Sequence, residues 1–137
     1  MNVGQIMTSD VFTVAPSDSV AQAEELMNRE EVRHLPVIDG DVLVGIISQR
    51  DVLAVSLPSI SAPSEDDDLE YKSRLPVSRI MRGFVEVARP ETEADLAADR
   101  LIDLKIGCLP VVDDRRRLVG IITRADFLRL ARDLLRQ

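Results

Sequence analysis

The chain has 137 residues, 45% of them hydrophobic, a length that favours one compact domain with a single core and allows internal symmetry. A formal net charge of −7 and 3% aromatic residues argue against nucleic-acid binding, which requires cationic phosphate contacts and usually stacking rings. No apolar run approaches the roughly 20 residues that span a bilayer, and the first residues lack the basic region of a secretion signal. We therefore expect a cytoplasmic protein without membrane insertion.

The sequence contains two copies of one pattern. The first copy begins with an extended segment followed by a helix. Residues 11–14 are mostly apolar and lead to a proline, after which Ser17, Asp18 or Ser19 is available to cap a helix. Thr92 has the corresponding place in the second copy. Apolar residues at helical spacing then predict one buried helix face in each copy.

Two apolar strands and a second helix complete each copy. In the first copy the strands cover about residues 33–38 and 43–47, and Asp39-Gly40 between them is a strong hairpin signal. The second helix opens at Ser48 in the first copy and at Thr123 in the second. The predicted fold is α/β (α+β), with two tandem β-α-β-β-α units.

Short sequences that recur along the chain identify the repeat. Ile6-Met7 recurs as Ile80-Met81, and Leu-Pro-Val at residues 35–37 recurs at residues 109–111. Leu-Val-Gly-Ile-Ile at residues 43–47 recurs one register step later, at residues 118–122. Such self-similarity indicates one supersecondary unit used twice. The predicted boundaries are residues 1–55 for the first motif and 77–137 for the second, which includes the C-terminal helix.

Residues 56–76 separate the two copies and are rich in proline, serine and acidic residues. They contain too few apolar residues to order themselves by burial, so we predict an exposed connector. Its acidic run at residues 64–70 is a poor candidate for a cation site, because carboxylates on a flexible segment do not form a preorganised cage.

The last helix combines an apolar face with a series of arginines. The apolar face, wider than one core needs, consists of Phe127, Leu128, Leu130, Ala131, Leu134 and Leu135. An exposed patch of this kind predicts a homodimer. Arg129, Arg132 and Arg136 recur every three to four residues and are expected to form a solvated face opposite the leucines. The arginines at residues 115–117 are likewise expected in a solvated turn.

The strongest candidate for chemistry is a strand that ends in a hydroxyl, followed three residues later by a carboxylate. The pairs are Ser48 with Asp51 and Thr123 with Asp126. One interpretation is a helix cap. The hydroxyl then accepts from the N–H of the third helical residue, and the carboxylate of that residue accepts from the N–H of the capping Ser or Thr. The other is a binding site, because helix N–H groups attract an anion and a carboxylate accepts ribose hydroxyls. Different lone pairs can serve each role, so the two interpretations are compatible.

The order of these motifs resembles the CBS motif, here in tandem as in a Bateman module. The residues that carry the resemblance are Leu-Pro-Val-(Ile/Val)-Asp, a hairpin, and Leu-Val-Gly-Ile-Ile-(Ser/Thr)-x-x-Asp, preceded by Ile-Met and a proline-led helix. It covers both copies, essentially the chain outside the connector. It implies motifs packed about a pseudo-twofold axis, with two clefts for AMP, ADP, ATP or a related adenosine ligand.

The resemblance also implies a role for individual residues. Asp51 and Asp126 would hold ribose hydroxyls, with Ser48 and Thr123 near the ribose or phosphate. A neighbouring arginine would neutralise a phosphate. The other residues implied at the clefts are Thr13, His34, Leu35, Pro36, Arg50, Cys108, Leu109, Pro110 and Arg124.

The two copies differ at this implied site. Val87 replaces Thr13, and Cys108 replaces His34, so we expect two clefts of unequal quality, with more polar groups near Asp51. His34 and Cys108 are alternatively a metal pair, but two ligands form a weak zinc site, and no metal is expected. The single cysteine is otherwise expected to be a small buried residue.

Three classes of function compete. The first is a non-catalytic regulatory module that binds an adenosine ligand and signals to a partner. The second is a ligand-free dimerisation or protein-interaction module, in which the Ser/Thr-x-x-Asp pairs only cap helices. The third is an enzyme, for which the sequence offers no Ser/His/Asp set and no glycine-rich phosphate loop. We therefore expect no catalysis and no required cofactor.

Overall fold

The computed structural model describes residues 1–56 and 64–137, which contain both helices and strands. In chain order the elements are α1 Val3–Ile6, α2 Val20–Glu30, β1 His34–Asp39, β2 Val42–Ser48, α3 Gln49–Val55, α4 Glu65–Arg74, a 3-10 turn Val77–Arg79, α5 Ala94–Asp103, β3 Cys108–Val112, β4 Leu118–Thr123 and α6 Arg124–Leu135. The strands form two small sheets, β1 with β2 and β3 with β4. The predicted mixed fold with two tandem motifs is confirmed.

The described residues form two compact units, which we name after the carboxylate that each contains. The Asp51 unit comprises Phe12–Gly40 and Val44–Phe84, and the Asp126 unit comprises Met1–Val11, Asp41–Leu43 and Val85–Gln137. Each unit therefore contains most of one repeat together with the opening segment of the other. The predicted boundaries follow the repeats along the chain, whereas the folded units exchange these opening segments.

The core of the Asp51 unit includes one face of α2 and residues of the β1–β2 hairpin. Its buried members are Val14, Val20, Ala23, Met27, Leu35, Val37, Ile47, Val52 and Val77. Ser19 begins α2, as predicted, because its hydroxyl accepts from the Gln22 N–H while the Gln22 side chain accepts from the Ser19 N–H. The hairpin turns at Gly40, whose φ of 65° is the left-handed conformation expected of an Asp-Gly turn.

The Asp126 unit has a similar core beside α5 and the β3–β4 hairpin. Its buried members are Val3, Ala88, Ala97, Leu101, Leu109, Val111 and Ile122. Cys108 is buried, as predicted, and pairs with Thr123 across the antiparallel ladder. The prediction that Thr92 caps α5 is wrong, because Glu93 holds the capping position and the Thr92 hydroxyl accepts from the Arg89 N–H instead.

The extended pieces that open each motif are shorter than the sequence suggests. Val14 forms one parallel bridge with Val37, and Ala88 forms one with Val111. A proline follows each bridge two residues later and supplies no N–H to extend the ladder. Each predicted first strand is therefore a single bridge.

Part of the predicted exposed connector is a helix. Ser64 begins α4 by accepting from the Asp67 N–H at 3.2 Å, and the acidic residues of the first turn complement the helix dipole. Residues 57–63, which belong to the same predicted connector, lie outside the described residues. Most side chains of α4 are exposed, as predicted for the connector, but the helix itself was not predicted, because a charged contact takes the place of apolar burial.

Lys72 makes this contact between α4 and α2. The residue is 3% exposed, and its Nζ lies 3.0 Å from Glu24 Oε2 and 2.7 Å from Asp68 Oδ2. Burial lowers the pKa of Lys72, but the hydrogen bonds and charges of Asp68 and Glu24 outweigh burial, so the pKa lies above its ordinary value. The acidic composition of the connector thus supplies the partner for a buried cation.

Replacing Lys72 with methionine should lower the free energy of unfolding by about 1–2 kcal/mol, because it removes charge-assisted hydrogen bonds and keeps the apolar stem. The raised pKa of Lys72 stabilises the fold fully below pH 10.5, and this contribution is lost as the pH rises through the higher pKa of the folded state. In urea titrations, the difference between the two proteins should therefore shrink above that pH. Lys105→Met, at an exposed position, is the control. Equal effects of the two substitutions would contradict the buried ion pair.

Candidate ligand-binding site

Ser48 and Asp51 join the end of β2 to the start of α3. The Ser48 hydroxyl accepts from the Asp51 N–H at 3.2 Å, while Asp51 Oδ2 accepts from the Ser48 N–H at 2.8 Å and from its hydroxyl at 2.9 Å. Thr123 and Asp126 repeat these bonds at 3.4, 2.8 and 3.1 Å. The predicted helix caps are confirmed. In both pairs the cap uses Oδ2, so that Oδ1 is directed to another partner.

The Oδ1 oxygen of Asp51 has a distant partner. Arg82 Nε lies 3.4 Å away, near the limit of a hydrogen bond, and the Arg82 side chain is 69% exposed. The Asp51 side chain itself is 13% exposed. A long contact from a solvated arginine is weak. This carboxylate oxygen is therefore accessible to another donor at little cost.

The Oδ1 oxygen of Asp126 has two close partners. The Thr8 hydroxyl donates to it at 2.9 Å and Arg129 Nη2 at 2.6 Å, and the Asp126 side chain is 4% exposed. Arg129 is exposed, as predicted for the arginine face, but its guanidinium also turns back by one helical turn onto this carboxylate. Both oxygens of Asp126 are thus engaged within the unit.

Gly45 in β2 and Gly120 in β4 leave room for the segments that contain Arg82 and Thr8. Thr8 exchanges two backbone hydrogen bonds with β4, each of 2.9 Å. A Cβ on Gly120 would lie 2.5 Å from Met7 Sδ and 3.0 Å from the Thr8 carbonyl oxygen. Gly45 has the same relation to Arg82, whose carbonyl oxygen would lie 3.0 Å from an added Cβ. The glycine of the Leu-Val-Gly-Ile-Ile motif therefore permits the close approach of the segment that follows Ile-Met.

The first N–H groups of α3 already have partners. The Gln49 N–H donates to the Arg33 carbonyl at 2.9 Å, and the Asp51 N–H donates to Ser48. These two groups are therefore engaged in the fold, and they do not support the predicted anion site at the helix N-terminus. The side chains at this end of α3 include the Asp51 carboxylate and the exposed Arg50 guanidinium.

The two arginines predicted near phosphate occupy different places. Arg50 is the second residue of α3, whereas Arg124 is the first residue of α6. In the register of the repeat, Arg50 corresponds to Ala125 and Arg124 to Gln49. Both arginines are exposed. The two units therefore present a cation from different positions in the first helical turn.

Several residues implied at the base are core residues in the structure. Leu35 and Leu109 are 0% exposed, and Pro36 and Pro110 are also buried. The carbonyls of these prolines accept hydrogen bonds from the N–H groups of Val14 and Ala88, at 3.2 and 2.9 Å. The side chains of these four residues therefore hold each unit together. The Asp51 unit also contains Thr13 and His34, both partly exposed, and the Asp126 unit contains Cys108.

Cys108 has the properties of a core thiol. Burial raises the pKa of its thiol to about 12, so the thiolate that a metal requires is disfavoured at neutral pH. In the part of the chain that the structure describes, no group of three or more His, Cys, Asp or Glu side chains is placed to hold a metal ion. The geometry thus gives no support to the alternative metal pair.

Sequence reasoning missed Thr8, Arg82 and Arg129 as members of the site. Thr8 and Arg82 hold equivalent positions directly after Ile-Met, and this equivalence was the available signal. Arg129 lies three residues after Asp126, at the place where the first copy has Ala54. The difference between Ala54 and Arg129, one helical turn after the carboxylate in each copy, was the signal that could have identified Arg129.

Removing the two carboxylates should have unequal effects on stability. Asp51→Ala should lower the free energy of unfolding by about 1 kcal/mol, the usual cost of a lost helix cap. Asp126→Ala should cost about 1–2 kcal/mol more, because Thr8 and Arg129 also lose their acceptor. Chemical denaturation without added ligand measures both. Asp99→Ala, on the exposed face of α5, should change little. A larger effect at Asp51 than at Asp126 would contradict this description of the site.

The family model of the CBS domain matches residues 3–57 and 77–133, which correspond to the two repeats. Among curated relatives, the inosine-5'-monophosphate dehydrogenase of Methanocaldococcus jannaschii is 35% identical over 126 residues, 91% of this chain and 22% of that protein. The chain therefore spans only about a fifth of the length of this larger relative.

Two solved structures with bound ligands are also similar. CBSX2 of Arabidopsis thaliana in complex with AMP has a TM-score of 0.81 and 34% identity, with 97% of each chain covered. The CBS domain pair of protein MJ0100, in complex with 5'-methylthioadenosine and S-adenosyl-L-methionine, has a TM-score of 0.79 and 27% identity, with 98% of each chain covered. Among the described residues, no helix has the length and apolarity needed to cross a membrane.

Proposed function

The chain belongs to the CBS domain family, and from this premise we propose that it binds an adenosine-containing ligand of the AMP, ADP or ATP type. The observation that carries the proposal is the Asp51 carboxylate, in which Oδ2 caps α3 while the contact of Oδ1 within the described part of the chain is a 3.4 Å approach of a solvated arginine. A ribose offers hydroxyl donors to such an oxygen. The ligands named for the similar structures all contain adenosine, which supports this choice of ligand class.

The Asp51 unit supplies the other groups that such a ligand needs. We assign the ribose to Asp51, with Ser48 holding the carboxylate in place, and a phosphate to the exposed guanidinium of Arg50. Thr13 and His34 are assigned to the adenine edge. In the Asp126 unit the corresponding assignments are Thr123, Arg124, Asp126 and Cys108. The backbone of Leu35-Pro36 is assigned to the adenine in the Asp51 unit, and that of Leu109-Pro110 in the Asp126 unit.

The role proposed for binding is regulation without catalysis. A ligand that binds one arrangement of the motifs better than another shifts their populations and passes that difference to a partner. In the dehydrogenase relative the matched region is 22% of the protein, consistent with a module that accompanies other functions. CBSX2 is a chloroplastic protein, so the cytoplasmic compartment stays a prediction for this chain.

A ligand-free interaction module is the second candidate. The observation that favours it is the completeness of both caps, since Oδ2 of each carboxylate already accepts from the hydroxyl of Ser48 or Thr123. In this alternative the Ser/Thr-x-x-Asp pairs stabilise helices and do nothing else. The two candidates differ in their response to nucleotide.

Addition of AMP, ADP or ATP at about 100 times its dissociation constant should stabilise the protein by about 2.7 kcal/mol and raise its melting temperature. Asp51→Ala should weaken the response strongly, whereas Asp99→Ala should retain it. Calorimetric titration at a temperature where every variant is folded separates binding from stability. Absence of binding heat and of a thermal shift with all three nucleotides would reject the proposal in favour of the interaction module.

We also propose that the chain forms a homodimer through its apolar helices. The structure leaves large side chains of α6 exposed: Leu128 at 72%, Leu134 at 55% and Leu135 at 85%. In the same unit, α5 also exposes Leu96 and Ile102. Apolar side chains concentrated on one helix favour association with a second apolar surface. A second copy supplies that surface without any further component.

Light scattering should give the mass of two chains at micromolar concentration. Leu128→Glu should shift the protein to the mass of one chain, because it buries a charge at the proposed interface. Leu69→Glu, at an exposed leucine of α4, should leave the dimer intact. A single-chain mass for the unmodified protein would reject the homodimer.

A further inference from the structure

The two carboxylates have matched caps but unmatched neighbours. Asp51 and Asp126 each use Oδ2 to cap a helix, with distances that agree within 0.2 Å between the two units. Three residues later the first copy has Ala54 and the second has Arg129. Residues three apart on a helix are neighbours, so position 129 lies within reach of the carboxylate and position 54 has no group to offer.

Arg129 donates a hydrogen bond to the carboxylate oxygen that a ribose hydroxyl would need as its acceptor. Its Nη2 lies 2.6 Å from Asp126 Oδ1, and the Thr8 hydroxyl donates to the same oxygen at 2.9 Å. Charge-assisted hydrogen bonds are stronger than neutral ones, and a ribose hydroxyl is a neutral donor. The Arg129 side chain is 54% exposed, which weakens the pair by solvation, but the Asp126 side chain is only 4% exposed. A ligand must therefore displace a bound cation from an acceptor largely shielded from water.

The corresponding oxygen in the Asp51 unit is held less firmly. Arg82 Nε lies 3.4 Å from Asp51 Oδ1, which is 0.8 Å longer than the Arg129 contact. The Arg82 side chain is also more exposed than that of Arg129, at 69% against 54%. A long contact from a solvated side chain contributes little free energy. Displacing Arg82 thus costs less than displacing Arg129.

We infer that Arg129 acts as a built-in competitor at Asp126, so that an adenosine ligand binds first and more tightly at Asp51. This inference rests on the proposed function and specifies its regulation. The residue does not block the ribose by bulk, because it occupies a lone pair that the ribose would otherwise use. One site per chain responds at low ligand concentration, and the other responds only when Arg129 is displaced.

Exchanging the two side chains tests the inference directly. Calorimetric titration of the unmodified protein with AMP should show one strong site per chain. Arg129→Ala should strengthen the weaker site by about tenfold, the ratio that corresponds to one charge-assisted hydrogen bond. Ala54→Arg, which installs the competitor beside Asp51, should weaken the strong site by a similar factor. Arg132→Ala removes an exposed arginine of the same helix and should change neither site.

Each result decides between distinct outcomes. Two equal sites in the unmodified protein, or an unchanged weaker site in Arg129→Ala, would overturn the competitor and leave nucleotide binding established. No binding of AMP in any variant would reject both the competitor and AMP as a ligand. Thr8→Val provides a second route, since it removes the other donor to Asp126 while retaining a similar shape. This variant should also strengthen the weaker site, by less than Arg129→Ala does.

Discussion

Each unit depends on a single carboxylate whose two oxygens have different partners. Oδ2 accepts from the N–H and hydroxyl of the residue three positions earlier and thereby fixes the start of a helix to the end of a strand. Oδ1 meets a side chain from a segment remote in sequence. One side chain thus connects a strand, a helix and an exchanged opening segment. Because the fold holds the carboxylate in place, little reorganisation is needed when a donor approaches.

The partner of Oδ1 is selected independently of the cap. Gly45 and Gly120 allow the segment after Ile-Met to approach the second strand closely, and the residue at its end then faces the carboxylate. That residue is Arg82 in one unit and Thr8 in the other. A substitution at this position, or three residues after the carboxylate, changes the competition for Oδ1 and leaves the cap intact. The repeat therefore preserves its architecture while its two sites diverge.

Features that depend on neighbouring residues were predictable from the sequence. The hairpin at Gly40 and the caps at Ser48 and Thr123 each involve residues within four positions. The cap occurs in both copies of the repeat. Contacts between distant residues were not predictable. Lys72 meets Glu24 across 48 positions, and Thr8 meets Asp126 across 118. Arg129 is exposed, as its periodicity predicted, but periodicity alone did not predict that the buried carboxylate three residues earlier accepts from its guanidinium.

A crystal structure of the protein grown with AMP would show directly whether the ribose binds to Oδ1 of Asp51 while Oδ2 keeps the helix cap. We expect a ribose hydroxyl within hydrogen-bonding distance of Asp51 Oδ1, with Oδ2 still bonded to Ser48 and with Arg82 displaced. In the same crystal at limiting AMP, Asp126 should retain its contacts with Thr8 and Arg129. Nucleotide bound away from Asp51, or bound at Asp126 while Asp51 is empty, would contradict the division of roles between the two carboxylate oxygens.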